Sequence, residues 1–279
     1  MTKTLTREKE KQVVLDFVEP LSSLKPPLKW AGGKRWLIPH LLPLWKQYKD
    51  FRLVEPFCGG LAVTLSLVPK SALLNDINPH LVNFYKQLKK GLSTPISMEN
   101  DEDGYYSKRE KFNRLIRKKQ FNTDEAAILF YYLNRTGYNG LCRFNNSGKF
   151  NVPFGKHKTI NYTYNFHDYK KAFANWTFTC VDFEEISIKV NDFVYADPPY
   201  DVEFTKYSKE DFSWEDQVRL VTWLSRLECP IVISNQATDR IVRLYKKHNF
   251  RLSFLDAPRF ISCNGDRTPA KEVIATKNL

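Results

Sequence analysis

The stretch Phe51-Arg52-Leu53-Val54-Glu55-Pro56-Phe57-Cys58-Gly59-Gly60-Leu61-Ala62-Val63 decides how this chain folds. Phe51 to Val54 is a short β-type run that stops at the Pro and Gly residues, and Leu61, Val63, Leu65 and Leu67 begin a helix after them. Ser71 to Leu74 reads as a second strand ending at Asn75-Asp76-Ile77-Asn78, and Leu81, Val82, Phe84, Tyr85 and Leu88 open another helix. Strand, glycine turn, helix, strand, Asp is the opening of a doubly wound parallel α/β sheet.

Upstream of that stretch, Trp30-Ala31-Gly32-Gly33-Lys34 precedes a helix through Leu37, Ile38, Leu41 and Leu42, with Pro39 in its first turn, where proline is tolerated. Residues 1–28 carry one short apolar run, Val13 to Val18, and end in Lys25-Pro26-Pro27-Leu28, an extended arm or linker. Beyond residue 88 the character changes. Residues 89–170 are polar, basic and rich in Tyr, Phe and Asn, with helical periodicity through Ala126–Leu133 and then a long Gly- and Asn-rich loop. Strand patterns resume at Trp176–Val181, Phe193–Ala196, Ile231–Ser234, Leu252–Leu255 and Val273–Ala275, with a helix over Val218–Leu227. The expected organisation is one α/β domain, residues 29–88 and 171–279, interrupted by an inserted module at 89–170.

In 279 residues, 43 Lys and Arg against 31 Asp and Glu leave a formal charge of +12, a sign that attracts polyanions through counterion release. Lys108, Arg109, Lys111, Arg114, Arg117, Lys118 and Lys119 surround Phe112, Leu115 and Ile116 at helical spacing. They predict a helix with a basic outer face, either simply solvated or tracking phosphates. With 42% hydrophobic residues the chain can bury a core. Charges interrupt every apolar run well before the roughly 18 positions of a spanning helix, and the N-terminal residues are too polar for a signal peptide. Cys58, Cys142, Cys180, Cys229 and Cys263 form no CxxC pair and share no metal-ligand spacing with the histidines. That disfavours a disulfide framework or a metal site and fits a reducing cytoplasm.

Two turns carry chemistry. Glu55-x-Phe57-x-Gly59-Gly60 lets backbone approach a ligand at a helix N-terminus, and Asp76 at the end of the next strand is placed to accept ribose hydroxyls. The spacing is neither GxGxxG nor a P-loop, so the pair suggests a nucleoside-containing cofactor of another kind. Asp197-Pro198-Pro199-Tyr200 follows the strand Phe193–Ala196, and its prolines end ladder pairing in a stiff extended turn at a strand's carboxyl end. The Asp197 carboxylate and the Pro198 carbonyl suit the two N–H bonds of an exocyclic amine, and Tyr200 suits stacking on a base, worth about 1–3 kcal/mol. A plain Pro-rich structural turn is the competing explanation.

Lys29-Trp30-Ala31-Gly32-Gly33-Lys34, Glu55-x-Phe57-x-Gly59-Gly60, Asn75–Asn78, Val181-Asp182-Phe183 and Asp197–Tyr200, in this order, resemble the Dam-type DNA adenine-N6 methyltransferases from about Leu28 onward. The resemblance implies a Rossmann-like class I methyltransferase sheet with an inserted, mainly helical target-recognition domain. It implies S-adenosylmethionine as cofactor, contacted by Trp30, Lys34, Glu55, Phe57, Asp76, Asp182, Phe183 and Asp197, and no metal. Asp197, Pro198 and Tyr200 would hold the flipped adenine. Asn134-Arg135-Thr136-Gly137-Tyr138-Asn139-Gly140-Leu141-Cys142-Arg143-Phe144-Asn145 and Gly148–Gly155 look like the DNA-reading hairpin of the subgroup that methylates GATC in double-stranded DNA. By that likeness Tyr138 wedges into the base stack, Asn139 contacts the vacated site, Arg143 reads a guanine, and Leu141 and Pro153 meet thymine methyls. Lys29 is a further DNA contact or a plain surface lysine.

Three segments depart from the pattern: the long arm 1–28, the acidic Met98–Asp103 expected to face away from DNA, and Phe260–Arg267, expected as a mobile loop beside the site. Methylation of cytosine N4 or of an RNA adenine is the alternative chemistry, and a DNA-binding regulator without catalysis the alternative class. A cytoplasmic, nucleoid-associated protein is expected.

Overall fold

The computed structural model describes residues 24–93, 95–201, 212–257 and 270–279; the run Val13–Val18, Cys263 and the segment Phe260–Arg267 lie outside the described residues. In chain order the elements are α1 (Ile38–Lys46), β1 (Arg52–Glu55), α2 (Ala62–Leu67), β2 (Ala72–Asn75), α3 (Pro79–Lys90), α4 (Glu102–Arg117), α5 (Asp124–Thr136), α6 (His167–Ala172), β3 (Trp176–Thr179), β4 (Asp192–Ala196), α7 (Trp214–Ser225), β5 (Ile231–Gln236), α8 (Asp239–Lys247), β6 (Arg251–Ala257) and β7 (Ala270–Lys277). The strands form one sheet in the order β3-β2-β1-β4-β5-β7-β6. The first five run parallel, and β7 lies antiparallel between β5 and β6. The α/β class expected from the strand–turn–helix pattern holds.

Strands β2, β4 and most of β5 are buried on both faces, as parallel strands covered by helices must be. Successive residues feed opposite cores. Leu53, Leu74, Phe193 and Tyr195 join the larger cluster with α1, α3 and α5, while Val54, Leu73, Val194 and Ala196 join a second cluster under α7 and α8. The larger cluster also contains Tyr105, Phe112, Phe130, Tyr131 and Phe150, so the segment after α3 is packed onto the sheet through a continuous apolar core. Pro27 and Leu28 are buried in the same side of the protein, and the Tyr169 hydroxyl donates to the Lys25 carbonyl, which ties this part of the arm down.

Side-chain caps set several helix starts. Asn78 accepts from the His80 and Leu81 amides at α3, Thr123 from Ala126 at α5, and Ser213 with Asp216 forms a capping box at α7. α7 therefore starts at Trp214, earlier than the apolar periodicity alone suggests. The acidic stretch has a similar use: Asp101 caps α4, and Glu99 pairs with Lys108. On α4 part of the basic face is paired within the protein, while Arg114 on the helix and Lys118 and Lys119 just beyond it stand exposed. Lys111 pairs with Glu125 and Arg117 with Glu110, while Arg109 donates to the Val152 carbonyl.

Trp45 fixes α1 to the sheet. It is 2% exposed, meets Phe193 edge-on at 5.4 Å, and donates its indole N–H to the Leu67 carbonyl at the end of α2. Trp45→Ala is expected to destabilise the fold by about 3–5 kcal/mol through the cavity and the orphaned carbonyl. Urea unfolding followed by circular dichroism checks this; a midpoint near that of the parent protein contradicts it.

Candidate active site

The site is built on the edge of the sheet where β1, β2, β4 and β5 end and the antiparallel β7 begins. After β4 the Asp197–Tyr200 turn is held from three sides. Gln217 of α7 donates to the Pro199 carbonyl at 2.8 Å, Asn235 of β5 accepts from the Asp201 amide at 3.2 Å, and Thr238 and Arg240 hold the Asp201 carboxylate. The Asn235 amide in turn donates to Gln217 at 3.1 Å. The Pro198 carbonyl accepts no hydrogen bond among the described residues.

Four side chains meet at this turn. The Lys34 ammonium, 6% exposed, lies 3.5 Å from Asp197 Oδ1, 3.9 Å from Glu272 Oε1 and 4.2 Å from the centre of the Tyr200 ring. The Tyr200 hydroxyl donates to Glu272 Oε2 at 2.6 Å. Ser234 on β5 donates to Asp197 Oδ1 at 2.8 Å and lies 3.0 Å from the Tyr195 hydroxyl. Burial pushes the Asp197 carboxyl up to about 6, against the pull of Lys34 and Ser234. Burial also raises Glu272, opposed by Lys34 and Tyr200.

The glycine turn after β1 lies beside this cluster. Glu55 is 3% exposed, accepts from the Thr64 hydroxyl, and is pushed up to about 8 by burial, with Asp197 adding to the shift. Asp76, raised by burial, accepts the Gly59 amide at 3.1 Å and the Asn78 amide at 2.9 Å. Gly60 is required by close approach: a Cβ there would sit 2.7 Å from the Trp30 Cβ, so the indole packs directly on the turn. Phe57 faces Phe183 at 5.7 Å and Phe212 at 5.4 Å, giving an aromatic wall. Beyond it, both Asp182 oxygens accept from Arg219 at 2.8 and 2.9 Å, and the guanidinium lies 4.3 Å over the Phe183 ring. The Arg219 bonds hold the Asp182 carboxyl below the usual carboxylate range.

Of the residues singled out in the sequence, Trp30, Lys34, Glu55, Phe57, Asp76, Asp197 and Tyr200 come together along this edge, with Asp182 and Phe183 completing its far wall. Lys29 and the hairpin residues form a separate group. The hairpin is carried by α4: Asn113 exchanges two hydrogen bonds with Phe150, donating to its carbonyl and accepting its amide, and Tyr105 donates to the Val152 carbonyl. At its base, just after α5, Tyr138 is 50% exposed, Asn139 is exposed with φ +51°, and Pro153 is exposed, while Leu141 is half-buried. Arg143 is exposed, and Asn151 accepts from its Nε at 2.8 Å and its Nη2 at 3.3 Å. Lys29 is drawn inward. Its ammonium donates to the Arg135 carbonyl at 3.1 Å and lies 3.2 Å from His157, its backbone pairs with the Asn134 side chain, and burial lowers its pKa. Ser234, Gln217, Arg219 and Glu272 had not been singled out from sequence; Gln217 and Arg219 sit in a helical stretch, Ser234 and Glu272 in strands, with no motif to mark them.

No helix among the described residues is long and apolar enough to cross a membrane, and no cluster of three or more His, Cys, Asp or Glu residues placed to hold a metal ion occurs among them. Fold and site together define a doubly wound α/β protein with a polar cluster at the carboxyl edge of its sheet. The sequence profile of the D12 class N6 adenine-specific DNA methyltransferase family matches residues 30–256. The retron Ec67 DNA adenine methylase of Escherichia coli is 36% identical over 265 residues, covering 89% of this chain and 90% of its own. The DNA adenine methylase of Escherichia coli K12 is 34% identical over 272 residues, covering 89% and 93%. The type II methyltransferase M.MjaIII of Methanocaldococcus jannaschii is 33% identical over 280 residues, covering 88% and 95%. The chain belongs to the D12 class N6 adenine-specific DNA methyltransferase family, as its motifs led us to expect, and the family implies DNA as substrate and S-adenosylmethionine as methyl donor.

Proposed function

We propose that the enzyme methylates N6 of an adenine turned out of duplex DNA within GATC, using the Asp197–Tyr200 turn to hold the base. The observation that carries this reading is the fixed turn itself. A carboxylate with one oxygen held by Ser234 and a Pro198 carbonyl without a donor among the described residues stand together on a backbone braced by Gln217 and Asn235. Two acceptors on the amine N–H bonds bias the nitrogen lone pair out of conjugation with the purine ring, which is what a poor nucleophile needs. One face of the Tyr200 ring is taken by Lys34, leaving the other for the base. Most of the catalysis is positioning.

The residues along the edge fit S-adenosylmethionine by their chemistry. Asp76 keeps acceptor capacity for ribose hydroxyls beyond its two amide bonds, and the Phe57–Phe183 wall offers an apolar face to the adenine. Asp182 is fixed by Arg219, yet each oxygen retains a lone pair for the adenine amino group. When bound, the cofactor would supply an electrophilic methyl carbon to N6, its sulfur leaving with the bonding pair as a neutral thioether, and the proton shed by the methylated amine would pass to the Asp197 carboxylate that accepts its N–H bond. The Asp197 carboxylate suits a sulfonium electrostatically, and Glu55, pushed up to about 8 by burial, is mainly neutral near pH 7 and ionises in favour of a cation placed beside it.

For the duplex, the exposed Tyr138 and the left-handed Asn139 stand at the hairpin base, beside the end of α5, as wedge and filler. Flipping costs a few kcal/mol, which an inserted aromatic ring offsets. Lys29 we read as a brace of the hairpin base, since Gly140 (φ +64°) brings its backbone so near that a Cβ would lie 2.3 Å from the Lys29 Cβ. Purified protein given labelled cofactor should label GATC duplexes and leave scrambled duplexes of the same composition blank. Equal labelling of both removes the sequence claim; label on cytosine or only on RNA removes the adenine-in-DNA claim.

A further inference from the structure

We infer that Glu272, on β7, is a positioning residue of the transfer site: it tethers the Tyr200 ring through its hydroxyl and competes with Asp197 for the single ammonium of Lys34. The inference rests on the proposed reading of Asp197 and Tyr200 as the groups that hold the amine.

Three observations carry it. Glu272 is 7% exposed and its Oε2 accepts from the Tyr200 hydroxyl at 2.6 Å, so the ring orientation depends on it. Its Oε1 lies 3.9 Å from Lys34, which is also 3.5 Å from Asp197, so one cation is divided between two buried carboxylates. The register of β7 is set on both sides, Gln236↔Glu272 toward β5 and Leu255↔Glu272 toward β6, which fixes where the carboxylate stands. Two carboxylates sharing one buried cation titrate as a coupled group, each making ionisation of the other harder. Among the described residues, Lys34 before α1, Glu55 on β1, Tyr195 on β4, Ser234 on β5, Tyr245 on α8, Glu272 on β7 and Tyr200 in the same turn are the titratable and polar groups around Asp197.

The two duties separate by substitution. Gln in place of Glu272 keeps an acceptor for the Tyr200 hydroxyl but removes the charge. With Glu272 neutral, a repulsion is lost and Lys34 turns wholly to Asp197; both effects favour the ionised Asp197. In single-turnover transfer to a GATC duplex, Glu272→Gln should keep most of the plateau rate and move the acid limb to lower pH by about half a unit to one unit. Glu272→Ala should move the limb the same way and lower the plateau about tenfold, because the ring is untethered. Tyr200→Phe, which breaks only the tether, should lower the plateau and leave the limb in place. A limb that stays put or moves upward in Glu272→Gln overturns the inference, because a purely structural glutamate lowers rate without moving that transition. Asp197→Asn, assayed in parallel, separates the two failures. If it transfers normally, the reading of the site is wrong; if it is inactive while Glu272→Gln matches the parent at every pH, this inference alone fails.

Discussion

Asp197→Ala is expected to lower methyl transfer by on the order of 10³-fold while the protein still binds its duplex. The carboxylate is the charged acceptor of the proposed amine grip, and it stands on a turn that other residues hold: Gln217 on Pro199, Asn235 and Arg240 on Asp201. Removing the side chain therefore empties the site without loosening its frame. Lys34 is not stranded, because Glu272 remains 3.9 Å away. In the parent enzyme the same group sets a pH dependence. Asp197 is a strong charged acceptor only when ionised, and burial has pushed it up to about 6. kcat/KM should therefore fall as pH drops through about 6 and level off above it, since that parameter follows the free enzyme. Filter-bound label from radioactive cofactor gives the rate, and gel shift gives the binding. A variant that binds DNA and still transfers at a comparable rate would remove Asp197 from the chemistry and favour a regulator that only binds DNA.

Arg143→Ala should relax sequence choice far more than it weakens DNA binding. Asn151 occupies the Nε–Nη2 side of the guanidinium, which leaves the Nη1–Nη2 end of this exposed side chain without a partner among the described residues. That end matches O6 and N7 of guanine, a pairing worth about 1–3 kcal/mol of discrimination. The ratio of kcat/KM for GATC over a site with its guanine replaced should accordingly fall by about 5- to 150-fold. Affinity for unrelated duplex, carried by phosphate contacts, should change little. An unaltered ratio would assign guanine reading to another residue.

The order strand, glycine turn, helix, strand, Asp was legible because each signal is local: β-type residues, turn residues and helical spacing lie within a few positions of one another. The same holds for the Asp197–Tyr200 turn, where prolines reveal their own backbone. What the sequence hid was non-local. Nothing in Ala270–Lys277 says that this strand enters antiparallel between β5 and β6, because pairing order is decided by which edges are open once the sheet forms. Glu272 and Ser234 consequently read as ordinary strand residues. The basic helix was legible as a helix, and its charges were legible as charges. Their partners Glu99 and Glu125 lie on other segments, so the pairing of Lys108 and Lys111 at the surface was not. Lys29 is a similar case: an ammonium beside a tryptophan motif gives no hint that Arg135 and His157 claim it.

The placement of β7 has a consequence for variation in this protein. Side chains alternate from one side of a strand to the other, so sliding β7 by a single residue would turn Glu272 out of the cluster and bring Val273 or Lys271 into its place. Hydrogen-bonded neighbours on both edges forbid such a slide. Insertions or deletions between β6 and β7 can therefore lengthen or shorten the connection without displacing the glutamate by even one ladder rung.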